Sequence, residues 1–174
     1  MEKSAGFTLV ELIVTLVLAA LVLTLGVPSF QEMIRDNRLV ATVNELIGAL
    51  NLARSEAIKR GVRVTLCKSA DGAGCTASGG YEQGWIVFVD PNDNAAVDAD
   101  ETIIRVFQAI PTGAGMTLTG NAPVARYISY VATGATQLTS GAFQAGTLTL
   151  CAAPKARRIV INSVGRVRVA EAGC

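Results

Sequence analysis

The sequence contains no histidine. That absence removes the commonest general base and the commonest metal ligand of proteins. No nucleophile–base pair stands out among the remaining side chains, so the expectation is a protein that is not an enzyme and uses no cofactor. Aromatic residues are scarce at 5%, which disfavours stacking on single-stranded nucleic acid. Acids are missing from one half of the chain: no Asp or Glu occurs between Glu101 and Glu171. That stretch holds Arg105, Arg126, Lys155, Arg157, Arg158, Arg166 and Arg168, while an acidic run from Asp90 to Glu101 compensates. The net charge of +1 conceals both.

What is present begins with a long apolar run. The 174 residues suit one domain of ordinary size plus an anchor. From Phe7 to Phe30 the only charge is Glu11. At about 1.5 Å per residue, roughly 20 residues cross a bilayer, so this segment can span. Lys3 on its N-terminal side orients that end toward the cytoplasm and the head outward. An ordinary secretory signal would carry a longer basic region and a small-residue cleavage site after the run, and neither occurs. A carboxylate inside the run costs about 2.5–3.5 kcal/mol on insertion scales, so Glu11 is a functional candidate. Gly6 directly precedes Phe7. Cleavage between them would create an amino group one helical turn before Glu11, where it or a neighbour's could neutralise the carboxylate.

Apolar residues at a 3.6 period continue past Pro28 through Met33, Ile34, Val40, Val43, Leu46, Ile47, Leu50, Ala53, Ala57 and Ile58, predicting an amphipathic helix that Gly61 ends. Beyond Gly61 the texture switches to short strands between Gly, Asn and Pro punctuation. Eight are expected, at 62–68, 84–89, 102–110, 116–119, 126–131, 147–151, 157–162 and 165–170. The fold class is α+β, with one helix laid across antiparallel sheet and Trp85 in its core. The expected divisions are a leader at 1–6, a transmembrane helix at 7–30, an amphipathic helix at 31–60 and a β-rich periplasmic head at 61–174.

Four cysteines in a chain that reads as exported predict two disulfides. Of three connectivities, Cys67–Cys75 with Cys151–Cys174 is favoured, and the others stay open. Zinc is disfavoured because neither pair has the usual ligand spacing.

Two clusters are candidate sites. Asp90, Asn92, Asn94, Asp98 and Glu101 occupy positions 1, 3, 5, 9 and 12 of a calcium-loop template, with Ala95 where the template requires glycine. The weaker reading is a calcium site, and the stronger is a solvated turn-rich connection with no metal. The second cluster is Lys155, Arg157, Arg158, Arg166 and Arg168. Arg166 and Arg168 stand two apart on a predicted strand and share a face, with Val167 and Val169 turned to the core. A hairpin through Asn162–Gly165 would bring Arg157 or Arg158 beside them. Such a patch suits phosphate oxygens, as arginine's fork matches them. A solvated face or a contact with acidic neighbouring subunits would use it equally well.

The opening MEKSAGFTLVELIVTLVLAALV resembles the class III signal of type IV pilins and type II secretion pseudopilins. That resemblance implies cleavage after Gly6 and N-methylation of Phe7 by a prepilin peptidase, a role for Glu11 in assembly with other pilins, and a helix kinked or melted at Pro28. The order LNLARSEAIKRGVRVTLC, GWIVFVDPN and a late basic hairpin resembles the GspH/FimT family of minor pilins. The G-R-V-R of Gly165–Arg168 is similar to an element of its FimT members, which bind DNA in natural transformation. The resemblance implies a minor pilin anchored once in a bacterial inner membrane and built into a type IV pilus. Its head would bind DNA without sequence preference through Lys155, Arg157, Arg158, Arg166 and Arg168. The alternative it implies is a structural subunit that primes pilus or pseudopilus assembly without a ligand.

Overall fold

The computed structural model describes residues 6–111 and 115–174. Residues 1–5, within the expected leader and with Lys3 among them, lie outside the described part. Helix α1 runs Leu9–Arg60. Thr8 and Glu11 close its start reciprocally: the Glu11 N–H donates to Thr8 Oγ1 and the Thr8 N–H to Glu11 Oε2, both at 3.3 Å. This is a capping box, so the one acid of the apolar run also serves the helix terminus. Pro28 lies inside the helix without ending it, so of the expected kink or melting the helix does not melt there. Proline removes the hydrogen bond that its own N–H would donate and crowds the carbonyl four residues before it, while the helix continues on both sides. Gly61 stops the helix at φ 70°, its N–H donating to the Ala57 carbonyl at 3.0 Å.

The chain divides into two compact parts, Met1–Arg38 and Leu39–Cys174. In the first, the apolar side chains of the helix are exposed, Leu16, Val22 and Phe30 among them. The helix is long and apolar enough to cross a membrane.

The second part holds the rest of α1 and eight strands, β1 (Val64–Lys68), β2 (Trp85–Val89), β3 (Ile103–Phe107), β4 (Thr117–Gly120), β5 (Tyr127–Tyr130), β6 (Gly146–Ala152), β7 (Lys155–Ile161) and β8 (Val167–Gly173). They form two four-stranded antiparallel sheets rather than one, in the orders β3-β2-β1-β5 and β4-β6-β7-β8. Alternation shows which face of a strand is apolar but not which strand lies beside it, so the split was not readable.

Both sheets turn an apolar face to α1. Leu39, Val43, Leu46, Ala49, Leu50, Ala53 and Ala57 from the helix meet Leu66, Trp85, Val87 and Ile128 from the first sheet and Leu118, Leu148, Leu150, Ile159 and Ile161 from the second. Each large side chain fully buried this way contributes about 1.5–3 kcal/mol. Trp85 is fully buried and stacks on Phe107 at 5.4 Å between ring centroids. The helical stripe is displaced from the expected one: Leu39 and Ala49 are buried, whereas Met33, Ile34, Val40 and Ile58 are exposed. A second, smaller cluster lies on the opposite side of β1 and β2, where Cys67, Ile86 and Phe88 are covered by Cys75, Val97, Ile103 and Tyr127. The loop closed by Cys67–Cys75 and the acidic loop after β2 therefore fold back over the first sheet.

Candidate functional site

The β7–β8 hairpin carries the basic cluster, and its register decides which side chains share a face. Arg158 stands opposite Ala170, Val160 opposite Arg168, and Arg157 opposite Glu171. At the turn, the Asn162 N–H donates to the Arg166 carbonyl at 3.1 Å, and the Arg166 N–H to Asn162 Oδ1 at 2.8 Å. Directly opposed residues lie on one side of a sheet, so Arg158, Arg166 and Arg168 project together from the outer face. Arg166 and Arg168 are separated by two strand steps, about 6.6 Å, and Arg158 is a diagonal neighbour of Arg168 at about 7–8 Å. All three are exposed. Among the described residues none of their guanidinium groups has a hydrogen-bond or ion-pair partner. Thr149 of β6 is opposite Arg158, and Thr119 of β4 is opposite Thr149, so hydroxyls continue the face across the sheet.

Two of the five expected residues do not join this face. Arg157 points to the other side with Ile159 and Ile161, and its Nη2 pairs with Glu171 Oε1 at 2.9 Å. Lys155 shares that opposite side and also has a partner. The acid that ends the carboxylate-free stretch thus quenches one of the arginines, because register sets Arg157 and Glu171 face to face. Val169, expected to turn into the core, is 44% exposed on β8, an edge strand of its sheet. Val167 does pack against the core.

Arg54 of α1 fixes the hairpin's turn. Its Nη1 donates to the Gly165 carbonyl at 3.3 Å and its Nη2 to the Val164 carbonyl at 3.1 Å. Gly165 has φ 78°, and a Cβ there would run into the Gly134 carbonyl oxygen and come within 3.0 Å of the Tyr130 ring. The glycine of G-R-V-R is required by its backbone and by the lack of room. Two arginines that follow it are thereby aimed from a turn clamped to the helix.

The acidic loop closes on itself. Asp90 is fully buried, and its carboxylate accepts the Thr65 hydroxyl at 2.8 Å and the N–H groups of Asn94 and Ala95, both at 3.0 Å. Asn92 and Asn94 use their carbonyl oxygens on backbone N–H groups and donate their amides to Asp98 Oδ2, each at 2.7 Å. Those acceptors are spent internally, and a hard cation needs them. Burial pushes the Glu101 carboxyl above the ordinary range, with Asp90, Asp98 and Asp100 adding to the rise. Among the described residues no group of three His, Cys, Asp or Glu side chains could hold a metal ion. These residues are thus tied into a turn-rich connection, in which Arg63 clasps Asp93 at 2.6 Å.

Residues 42–165 match the family model described as type II transport protein GspH, and residues 1–27 match the prokaryotic N-terminal methylation motif. The chain belongs to the GspH family. Two crystal structures of the type IV minor pilin FimU from Pseudomonas aeruginosa strain PAO1 share the fold. One is 18% identical with a TM-score of 0.53, covering 76% of this chain and 92% of that one. The other is 19% identical with a TM-score of 0.56, covering 78% and 90%. No curated protein sequence matches this chain. The apolar helix and the methylation motif fit a membrane-anchored pilin.

In this GspH-family head two disulfides, Cys67–Cys75 and Cys151–Cys174, close loops that bear on the sites. The second ties the last residue of the chain to β6 and so encloses the hairpin. Replacing Cys151 and Cys174 together by Ser is expected to cost about 2–4 kcal/mol through the freed loop of the unfolded chain. Urea unfolding followed by circular dichroism measures it, and a midpoint unchanged from the parent would show that the bridge adds no stability.

Proposed function

We infer that the chain is a minor pilin acting as a structural subunit of a type IV pilus or a type II secretion pseudopilus. The observation that carries this reading is the N-terminal methylation motif on a helix whose membrane-length apolar half is exposed. Such a half-helix is stable only in lipid or against other apolar helices, which are the two environments a pilin occupies before and after assembly. The fold shared with FimU, a type IV minor pilin, supports the same reading. The site residues follow from it: a prepilin peptidase cuts between Gly6 and Phe7 and methylates Phe7, and Glu11 guides the subunit among other pilins. The head then lies outside the inner membrane, with residues 7–30 as the single span.

Co-expression with a prepilin peptidase tests this directly. Intact mass should fall by residues Met1–Gly6 and rise by one methyl group. In a host lacking its own copy, the gene should restore sheared surface filaments or secretion, and Glu11→Ala should not. An unprocessed mass, or restoration by the Glu11→Ala variant, would remove the reading.

One observation favours a second role beside this one. Arg158, Arg166 and Arg168 form a patch without acids, of the kind that neutralises successive phosphates of duplex DNA. In that reading the subunit captures DNA non-specifically for uptake in natural transformation. Retardation of duplex DNA by the detergent-solubilised full chain, lost when the three arginines become Gln, distinguishes it from assembly alone.

A further inference from the structure

The outer side of the first sheet carries a different feature. Beside the Cys67–Cys75 bridge, stretches far apart in sequence close around a cup of about 170 Å³. Thr76 comes from the disulfide loop, Asn94 from the acidic loop, Arg126 and Tyr127 from the start of β5, and Thr139 from the loop after β5. No carboxylate lines it.

Its polar groups divide unevenly between donors and acceptors. Arg126 is exposed, and its guanidinium has no hydrogen-bond or ion-pair partner among the described residues. Thr76 Oγ1 accepts the Ala70 N–H at 3.1 Å, which leaves its proton unused. Thr139 Oγ1 accepts the Tyr127 hydroxyl at 3.3 Å, and the Thr139 N–H donates to the Tyr127 oxygen at 3.1 Å. The Tyr127 hydroxyl is therefore occupied, while the proton of the Thr139 hydroxyl is not. Asn94 is committed to Ala96 and Asp98 within its own loop. What the cup offers is a cation and two hydroxyl protons, with no carboxylate to compete for them.

Two of the walls are held in place by contacts of their own. The disulfide holds the Thr76 wall, where the Thr76 N–H also donates to the Lys68 carbonyl at 2.8 Å. Buried Asp90 holds the Asn94 wall through the N–H groups of Asn94 and Ala95. Walls held in this way lower the entropic cost of ordering those loops around an acceptor. Size narrows the class further, because whole small-molecule ligands fill pockets of about 300–1,000 Å³. A single oxyanion group fits, and arginine's fork is the side chain that matches it.

We propose that Arg126, Thr76 and Thr139 form a binding site for one carboxylate or phosphate group, separate from the arginine face of the hairpin. Amide nitrogen-15 spectra of the full chain in detergent micelles test it, by titration with inorganic phosphate and with acetate, each against chloride at equal ionic strength. Saturable shifts at Thr76, Arg126 and Thr139 with either ion support the site, and the ion that saturates tells phosphate from carboxylate chemistry. Arg126→Gln should weaken the response about tenfold while the spectrum stays dispersed. Should that variant lose dispersion, Thr139→Val removes one donor alone and should weaken binding severalfold. Linear shifts like those with chloride, shifts confined to Arg158, Arg166 and Arg168, or a response unchanged in both variants would overturn the proposal.

Discussion

Gly165→Ala is expected to lower the melting temperature of the head by about 10 °C, following from about 2–5 kcal/mol of lost stability at about 2–4 °C per kcal/mol. Two costs add. An L-residue at φ 78° is disfavoured by about 1–2 kcal/mol. The new methyl also meets the Gly134 carbonyl oxygen and the Tyr130 ring, and overpacking of that kind costs about 1–3 kcal/mol. Neither neighbour can give way. Gly134 is itself at φ 77°, with the Ile58 side chain where its own Cβ would be, and Tyr130 is fully buried. Gly141 supplies the control, since it has φ 85° but open space around its Cβ position. Gly141→Ala should therefore show only the conformational cost, a drop of about 2–8 °C. Thermal circular dichroism of both variants measures the difference. Equal drops would mean that the approach of β7–β8 to Gly134 contributes nothing.

That pair of glycines illustrates what the sequence allowed to be read. All eight strands fall within a few residues of their expected places, because alternation and Gly or Pro punctuation are local signals. Pairing is not local. Nothing in residues 111–126 announces that β4 joins β6 while β5 returns to β1. The helical stripe erred for a related reason: period 3.6 defines a direction, but only the two sheets decide how wide the covered arc is. They cover Leu39 and Ala49 and leave Val40 and Ile58 outside.

The basic cluster was legible as composition and only partly as geometry. Counting residues along β7 does not distinguish Arg157 from Arg158, whereas the turn at Asn162–Arg166 sets the register and puts them on opposite faces. Arg54 lay beyond such reading altogether. Its partners are carbonyls of Val164 and Gly165, about a hundred residues away, and no local pattern encodes a side chain donating to a distant turn. The Arg126 cup is similar, since its donors come from loops in which no motif was present.

The geometry also sharpens what the arginine face would do with nucleic acid. Five cations would give a log–log salt slope of about −4.5 on duplex DNA, but only three share the face, so a slope of about −2.7 is expected at about −0.9 per neutralised phosphate. Each of Arg158→Gln, Arg166→Gln and Arg168→Gln should flatten it by about 0.9, and the triple variant should abolish retardation. Exposed and unpartnered side chains of this sort contribute within about ±0.5 kcal/mol to folding, so the loss should occur with melting unchanged. Arg157→Gln is the informative companion. Its charge is already met by Glu171 on the opposite face, so the slope should stay where it was. A slope that falls equally for Arg157 and Arg158 would mean that the whole hairpin attracts DNA as a diffuse charge. No retardation by the parent chain at low salt would leave the three arginines to contacts between subunits, where the acidic loop of a neighbouring head offers the opposite charge.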